Sequence, residues 1–105
     1  MSGKPKGGRW PPLNAFVDES LADRTRAELA VWLVLFRDAR CGNYKGVPGM
    51  YARVGQADIA QRGGLSARSV KLAVAGLSAA GMLKVVRRGR LNVGPSVYSV
   101  RGRAP

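Results

Sequence analysis

The chain has 105 residues, with 18 lysines and arginines against 6 acids, no histidine and one cysteine, for a formal net charge of +12. That length supports one small domain with a modest core. The missing histidine and second cysteine exclude an intramolecular disulfide, a Cys/His zinc site and imidazole-based catalysis, so no metal, no cofactor and no enzymatic activity are expected.

The charge opposes compaction through self-repulsion and points to an anionic partner. Nucleic acid comes first, with an anionic membrane surface or an acidic protein behind it. The last acid is Asp58, and nine cations follow it without another. Residues 1–58 carry the other nine cations and all six acids, a net of only +3. The partner-facing surface is therefore expected in the C-terminal half. "MSGKPKGGRW" leads into no apolar segment of the kind a secretory signal needs. The longest apolar run, "LAVWLVLF" at 29–36, is too short for a bilayer. With a lone thiol, Cys41, this suggests a soluble cytoplasmic protein, nucleoid-associated if the partner is DNA, with no membrane partner.

In chain order, residues 1–12 read as a flexible basic arm ending in a rigid Trp-Pro-Pro segment, either solvated or touching a phosphate backbone. "AFVDESLADR" suits a short helical turn with Phe16, Val17 and Leu21 inward. Asp18, Glu19 and Asp23 are expected to pair locally with Arg24 and Arg26 rather than hold a metal. "TRAE" at 25–28 is a capping box that opens a helix to about Ala39, with Gly42 as its stop. The middle of that helix is apolar on every face, so either the N-terminal segment or a second subunit should cover it. "CGNYKGVPGM" at 41–50 reads as a loop, and "MYARV" at 50–54 as a short strand. A short helix over 56–62 and a turn at 63–65 precede a helix that starts after Ser66 and stops at Gly81. "MLKVVRR" and "SVYSV" are β-rich and flank "GRLNVGP", a hairpin tip.

Residues 56–75, "QADIAQRGGLSARSVKLAVA", place Ala60 where two helices would cross and Gly64 where a positive φ is needed. Ile59, Leu65, Val70, Ala73, Val74 and Leu77 supply an apolar wedge between and beneath them. This stretch resembles the helix-turn-helix of bacterial DNA-binding proteins. Continued through "LSARSVKLAVAGLSAAGMLKVVRRGR…VYSV", it resembles the winged helix-turn-helix domains of small prokaryotic phage and plasmid replication and regulatory proteins. The resemblance covers about residues 13–101, with 102–105 as a tail. It implies a mainly α domain with a β-hairpin wing, in the α+β class.

On the helix after Ser66, Val70, Ala73, Val74 and Leu77 share one face, while Ala67, Arg68, Lys71, Leu72, Ala75 and Ser78 lie on the other, without an acid. A solvated scaffold helix would mix acids into that face; a polyanion partner disfavours them. Ser66 and the free amides at the helix start can hold a phosphate, as can Gln56 at the start of the preceding helix. Arg68 and Lys71 suit base edges in the major groove, and Ala67 and Leu72 suit thymine methyls. Lys84, Arg87, Arg88 and Arg90 on the wing suit phosphates or a minor groove, or else serve as solvated edge protection. Arg101 and Arg103 add non-specific attraction.

The expected function is sequence-preferring binding of double-stranded DNA, as a transcriptional regulator or as a replication or accessory factor of a mobile element. A homodimer covering "LAVWLVLF" is expected, at least on DNA, with no small-molecule cofactor. The alternative is an interaction module for RNA or an acidic protein.

Overall fold

The computed structural model describes residues 10–89 and 94–102. Helix α1 (Trp10–Ala15) runs into a π-helical turn (Phe16–Ser20) and a 3-10 turn (Leu21–Asp23). Then follow α2 (Arg26–Asp38), β1 (Arg40–Tyr44), β2 (Val47–Val54), α3 (Gln56–Gly63), α4 (Ala67–Ala79), β3 (Leu83–Arg87) and β4 (Ser96–Val100). The fold is α+β: four α-helices pack with one antiparallel sheet of order β1-β2-β4-β3.

The capping box forms as the sequence predicts. Thr25 Oγ1 accepts from the Glu28 amide at 3.1 Å, and the Thr25 amide donates back to Glu28 Oε1 at 2.9 Å. Val31, Trp32, Leu35 and Phe36 of α2 are buried, and Trp32 is sandwiched between two phenylalanines. Phe16 stacks on it at 3.9 Å between ring centroids and Phe36 at 5.0 Å, both within 9° of parallel.

The N-terminal segment thus covers α2 from within the chain, one of the two expected solutions. Leu33, 45% exposed, is the large apolar residue of the helix left most open. In the turns before α2, Phe16 points inward and Leu21 packs against the core. Val17, expected inward, is exposed instead: it follows Phe16 directly, successive residues of a helical turn point in different directions, and Phe16 takes the inward one. Arg24 pairs with Glu28 at 3.7 Å.

Two boundaries move. Residues 10–12, expected in the arm, begin α1, where the fixed φ and absent N–H of Pro11 and Pro12 suit a first helical turn. Residues 1–9 of the arm lie outside the described residues. Gly102, expected in the tail, is buried against α1: a Cβ there would collide with the Pro12 carbonyl and the Phe16 amide. Ser20 Oγ donates to the Gly102 carbonyl at 3.0 Å, and Trp32 Nε1 donates to the Arg101 carbonyl at 2.8 Å.

The segment 41–50, expected as a loop, is a hairpin. Lys45 (φ 49°) and Gly46 (φ 83°) supply the two successive positive φ values of a tight two-residue turn. Gly42 and Gly49, which read as breakers, face each other in the ladder. Pro48 is tolerated because β4 pairs only with residues 51–54 of β2, so no second neighbour asks for its missing N–H.

Candidate nucleic-acid interface

The α3–α4 elbow is built as its glycine predicts. Gly64 caps α3 in the left-handed region (φ 66°, ψ 38°), and the Leu65 amide closes the end by donating to the Ala60 carbonyl at 2.8 Å. Ile59 is buried, and Ala60 and Leu65 pack against the core. A side chain at Gly63 would touch Leu65 and Ala30, so α3 lies close on α2.

Arg62 ties this junction down. Its Nη1 donates to Asp38 Oδ1 at 3.0 Å, its Nη2 reaches Asp38 Oδ2, and its Nε donates to Asp58 Oδ1 at 3.0 Å. The Arg62 hydrogen bonds hold the Asp38 carboxyl below its usual range, and Asp38 in turn raises the Arg62 guanidinium. One of the nine cations after Asp58 is therefore spent inside the protein.

Helix α4 has the two faces expected of it. Val70, Ala73, Val74 and Leu77 are buried; Ala67, Arg68, Lys71, Leu72, Ala75 and Ser78 are all exposed. Leu72, 63% exposed, lies open among them. The Ser66 hydroxyl accepts from the Ser69 amide at 3.1 Å and donates to Ser69 Oγ at 3.0 Å. It is thus engaged as the cap, leaving the first-turn amides as the anion donors at this end. Gly76 sits where α4 crosses α2, and a Cβ there would collide with the Glu28 carboxylate.

The other candidates fall in separate places. Gln56, at the first position of α3, and Arg88 line one open hollow of about 380 Å³, together with Gly55, Gly89 and Ser96. The structure thus brings the start of α3 and the wing to one spot. Arg87 turns across the hairpin, where its Nη2 donates to the Pro95 carbonyl at 2.9 Å. Lys84 is exposed beside Ser78 and Arg101 around a hollow of about 190 Å³ at the C-terminal end of α4. At 1.5 Å per residue, that end is about 15 Å along the helix from Arg68. Arg90, Arg103 and the Trp10 side chain lie outside the described residues.

One cluster escaped the sequence reading because its segment looked like a loop. On the β1–β2 hairpin, Tyr44 and Tyr51 pack at 5.7 Å, Lys45 Nζ lies 5.7 Å from the centre of the Tyr44 ring, and Tyr51 Oη donates to the Val47 carbonyl at 2.6 Å. Arg40 and Arg53 flank them. The available signal was the alternation of Tyr44 and Arg40 on β1 with Tyr51 and Arg53 on β2.

Among the described residues, no helix is long and apolar enough to cross a membrane. Comparison with protein-family models, curated proteins and solved structures returned no match.

Proposed function

We propose that the chain binds double-stranded DNA with a sequence preference, laying the outward face of α4 in the major groove. The observation that carries this reading is that face itself: a 13-residue helix exposing Arg68 and Lys71 among small and apolar residues, with no acid in the helix. Arg68 is the candidate for a bidentate hold on guanine, and Leu72 for contact with a thymine methyl. Gln56 and Arg88 would share a backbone phosphate across their hollow. Lys84 and Arg101, at the far end of α4, would add long-range attraction.

The order of elements supports a winged helix-turn-helix. Helix α2, strand β2, helices α3 and α4, and the hairpin β3–β4 follow one another, with β4 between β2 and β3 in the sheet. On this reading the protein is a small transcriptional regulator or a replication or accessory factor of a mobile element. Two copies about 34 Å apart on a palindromic site would double the readout of a helix bearing only two long cations.

The test is fluorescence anisotropy on duplex DNA across a salt series. Six to eight phosphate contacts give a log–log slope of roughly −5 to −7. Arg68→Ala should weaken the preferred site by about 1–3 kcal/mol and random duplex by less. Arg88→Ala should weaken both alike. A flat salt dependence, or an Arg68→Ala loss equal on all sequences, overturns the reading.

A further inference from the structure

The four strands carry cations but no acid. Ala52, Val54, Leu83, Tyr98 and Val100 turn one face of the sheet to the core, and alternation puts their neighbours on the outward face. At the β1–β2 end of that outward face, Arg40 stands opposite Tyr51, Gly42 opposite Gly49 and Tyr44 opposite Val47. Two positions without side chains therefore lie between the two tyrosine rows. Tyr51 reaches across one of them: a Cβ on Gly49 would come within 3.4 Å of its ring. Its hydroxyl donates to the Val47 carbonyl at 2.6 Å, which holds the ring along β2 and against Tyr44. Gly42 stays open, since a Cβ there would meet nothing within 4 Å.

The result is a hollow of about 400 Å³ that takes in Gly42 and is walled by Tyr44, Tyr51 and Arg53. Two charges on its rim are already matched. Arg40 Nη1 is turned onto the carbonyls of Arg37, Asp38 and Ala39 at 3.1–3.3 Å, and Asp38 is bound by Arg62. Arg53 at the hollow and Lys45 at the turn are both exposed, and Lys45 Nζ lies 5.7 Å from the centre of the Tyr44 ring. Aromatic walls with cations at the mouth suit an aromatic base attached to a phosphate. An acidic peptide would use the cations and leave the rings without a partner. In a duplex the faces of a base are covered by its neighbours, so only an unpaired base can stack on tyrosine.

We propose that this hollow binds single-stranded DNA, with one unpaired base against the Tyr44–Tyr51 pair and the adjoining phosphates on Arg53 and Lys45. Every base has a π-face, so such a site tolerates any sequence. The choice of DNA over RNA rests on the duplex reading of α4; the hollow itself does not. Val54 pairs with Ser96 beside the wing, whereas Tyr51 pairs with Ser99. The Lys45–Gly46 turn therefore projects from the end of the sheet opposite the wing tip. The tyrosine hollow is thus separate from the one shared by Gln56 and Arg88, and the two can be filled independently.

The test uses the full chain and a fluorescein-labelled thymidylate decamer, beside an abasic strand with the same number of phosphates. The decamer should bind more tightly than the abasic strand by about tenfold or more. Tyr44→Leu keeps the apolar bulk and should weaken the decamer by about fivefold or more, leaving the abasic strand and the preferred duplex unchanged. Lys45→Asn tolerates the positive φ and should reduce the log–log salt slope for the decamer by about 0.7, the share of one phosphate on a single strand. Arg68→Ala should leave decamer binding unchanged, so a failure of the α4 reading is seen separately on the duplex. Equal binding of the decamer and the abasic strand overturns the proposal, as does an Arg68→Ala loss as large as that of Tyr44→Leu. Tighter binding of a uridylate decamer would assign the hollow to RNA, and displacement by a glutamate-rich peptide would assign it to an acidic protein. Either result overturns the proposal.

Discussion

Replacing a mid-helix glycine by alanine ordinarily stabilises a protein by up to about 1 kcal/mol, since alanine loses less backbone freedom on folding. At Gly76 the structure predicts the opposite sign. A Cβ there occupies the position of the Glu28 carboxylate, whose side chain is only 13% exposed. That carboxylate accepts from the Thr25 amide at 2.9 Å and lies 3.7 Å from Arg24, itself 15% exposed. To admit the methyl group Glu28 must swing out. It then gives up half of the capping box, at about 0.5–2 kcal/mol, and leaves the partly buried Arg24 charge unmatched, at about 1–3 kcal/mol. Set against a helix-propensity gain of about 1 kcal/mol, Gly76→Ala should destabilise by about 0.5–4 kcal/mol.

Urea denaturation followed by tryptophan fluorescence, to which Trp10 and Trp32 both contribute, measures this directly. The decisive comparison repeats the substitution in a Glu28→Ala background, where the obstruction is gone and the same change should stabilise by up to about 1 kcal/mol. The cycle therefore predicts a coupling of about 1.5–5 kcal/mol between the two positions. If Gly76→Ala raises the urea midpoint equally in both backgrounds, the close approach of α4 to α2 over Glu28 is refuted.

Asp38→Asn should lower stability at pH 7 by about 1 kcal/mol, the upper range for a largely solvated ion pair. Because Arg62 depresses the Asp38 pKa, that contribution is present above the unfolded value of about 3.9 and is lost as pH falls through the lower folded value. The variant should therefore show a shallower acid unfolding curve than the parent by circular dichroism. Leu72→Ala should change the urea midpoint by less than about 0.5 kcal/mol, since the side chain is mostly exposed, yet weaken duplex sites containing thymine where α4 reads them; an unchanged affinity would remove Leu72 from the interface. With the apolar face of α2 covered inside one chain, sedimentation without DNA should give a monomer, and pairing should appear only on a palindromic duplex. A dimer without DNA would point to α2 at Leu33.

The helix pair α3–α4 and the hairpin after it were legible because local rules agreed there. Ser66 caps, Gly64 takes the positive φ, and Val70, Ala73, Val74 and Leu77 keep helical spacing on one side. The β1–β2 hairpin was not legible, since glycine and proline mark breaks on average, and nothing in the sequence announces that Lys45 takes a positive φ. Composition misled in the same way at Pro11 and Pro12, which read as an arm and begin a helix. The remaining gaps are long-range contacts. Arg62 looked like another free cation because its partner Asp38 lies 24 residues back. Glu28, correctly placed in its capping box, gave no sign of sitting over Gly76. On the candidate face of α4, sequence spacing identified which residues are exposed; it could not separate Lys84 from Arg68 or bring Arg88 to Gln56.

The bond from the Trp32 indole to the Arg101 carbonyl spans 69 residues, and this orders events during synthesis. At about 5–20 residues per second, a ribosome needs about 3–14 s after placing Trp32 before it adds Arg101. Throughout that interval the buried indole N–H has no native acceptor, and Gly102 is absent from its place against α1 and Ser20. The nascent chain must wait with the floor of its core open, and the arrival of Arg101 and Gly102 works as the latch that closes the packing around Trp32. Truncation after Val100 would produce a protein held permanently in that waiting state, with every helix encoded and its central tryptophan unsatisfied.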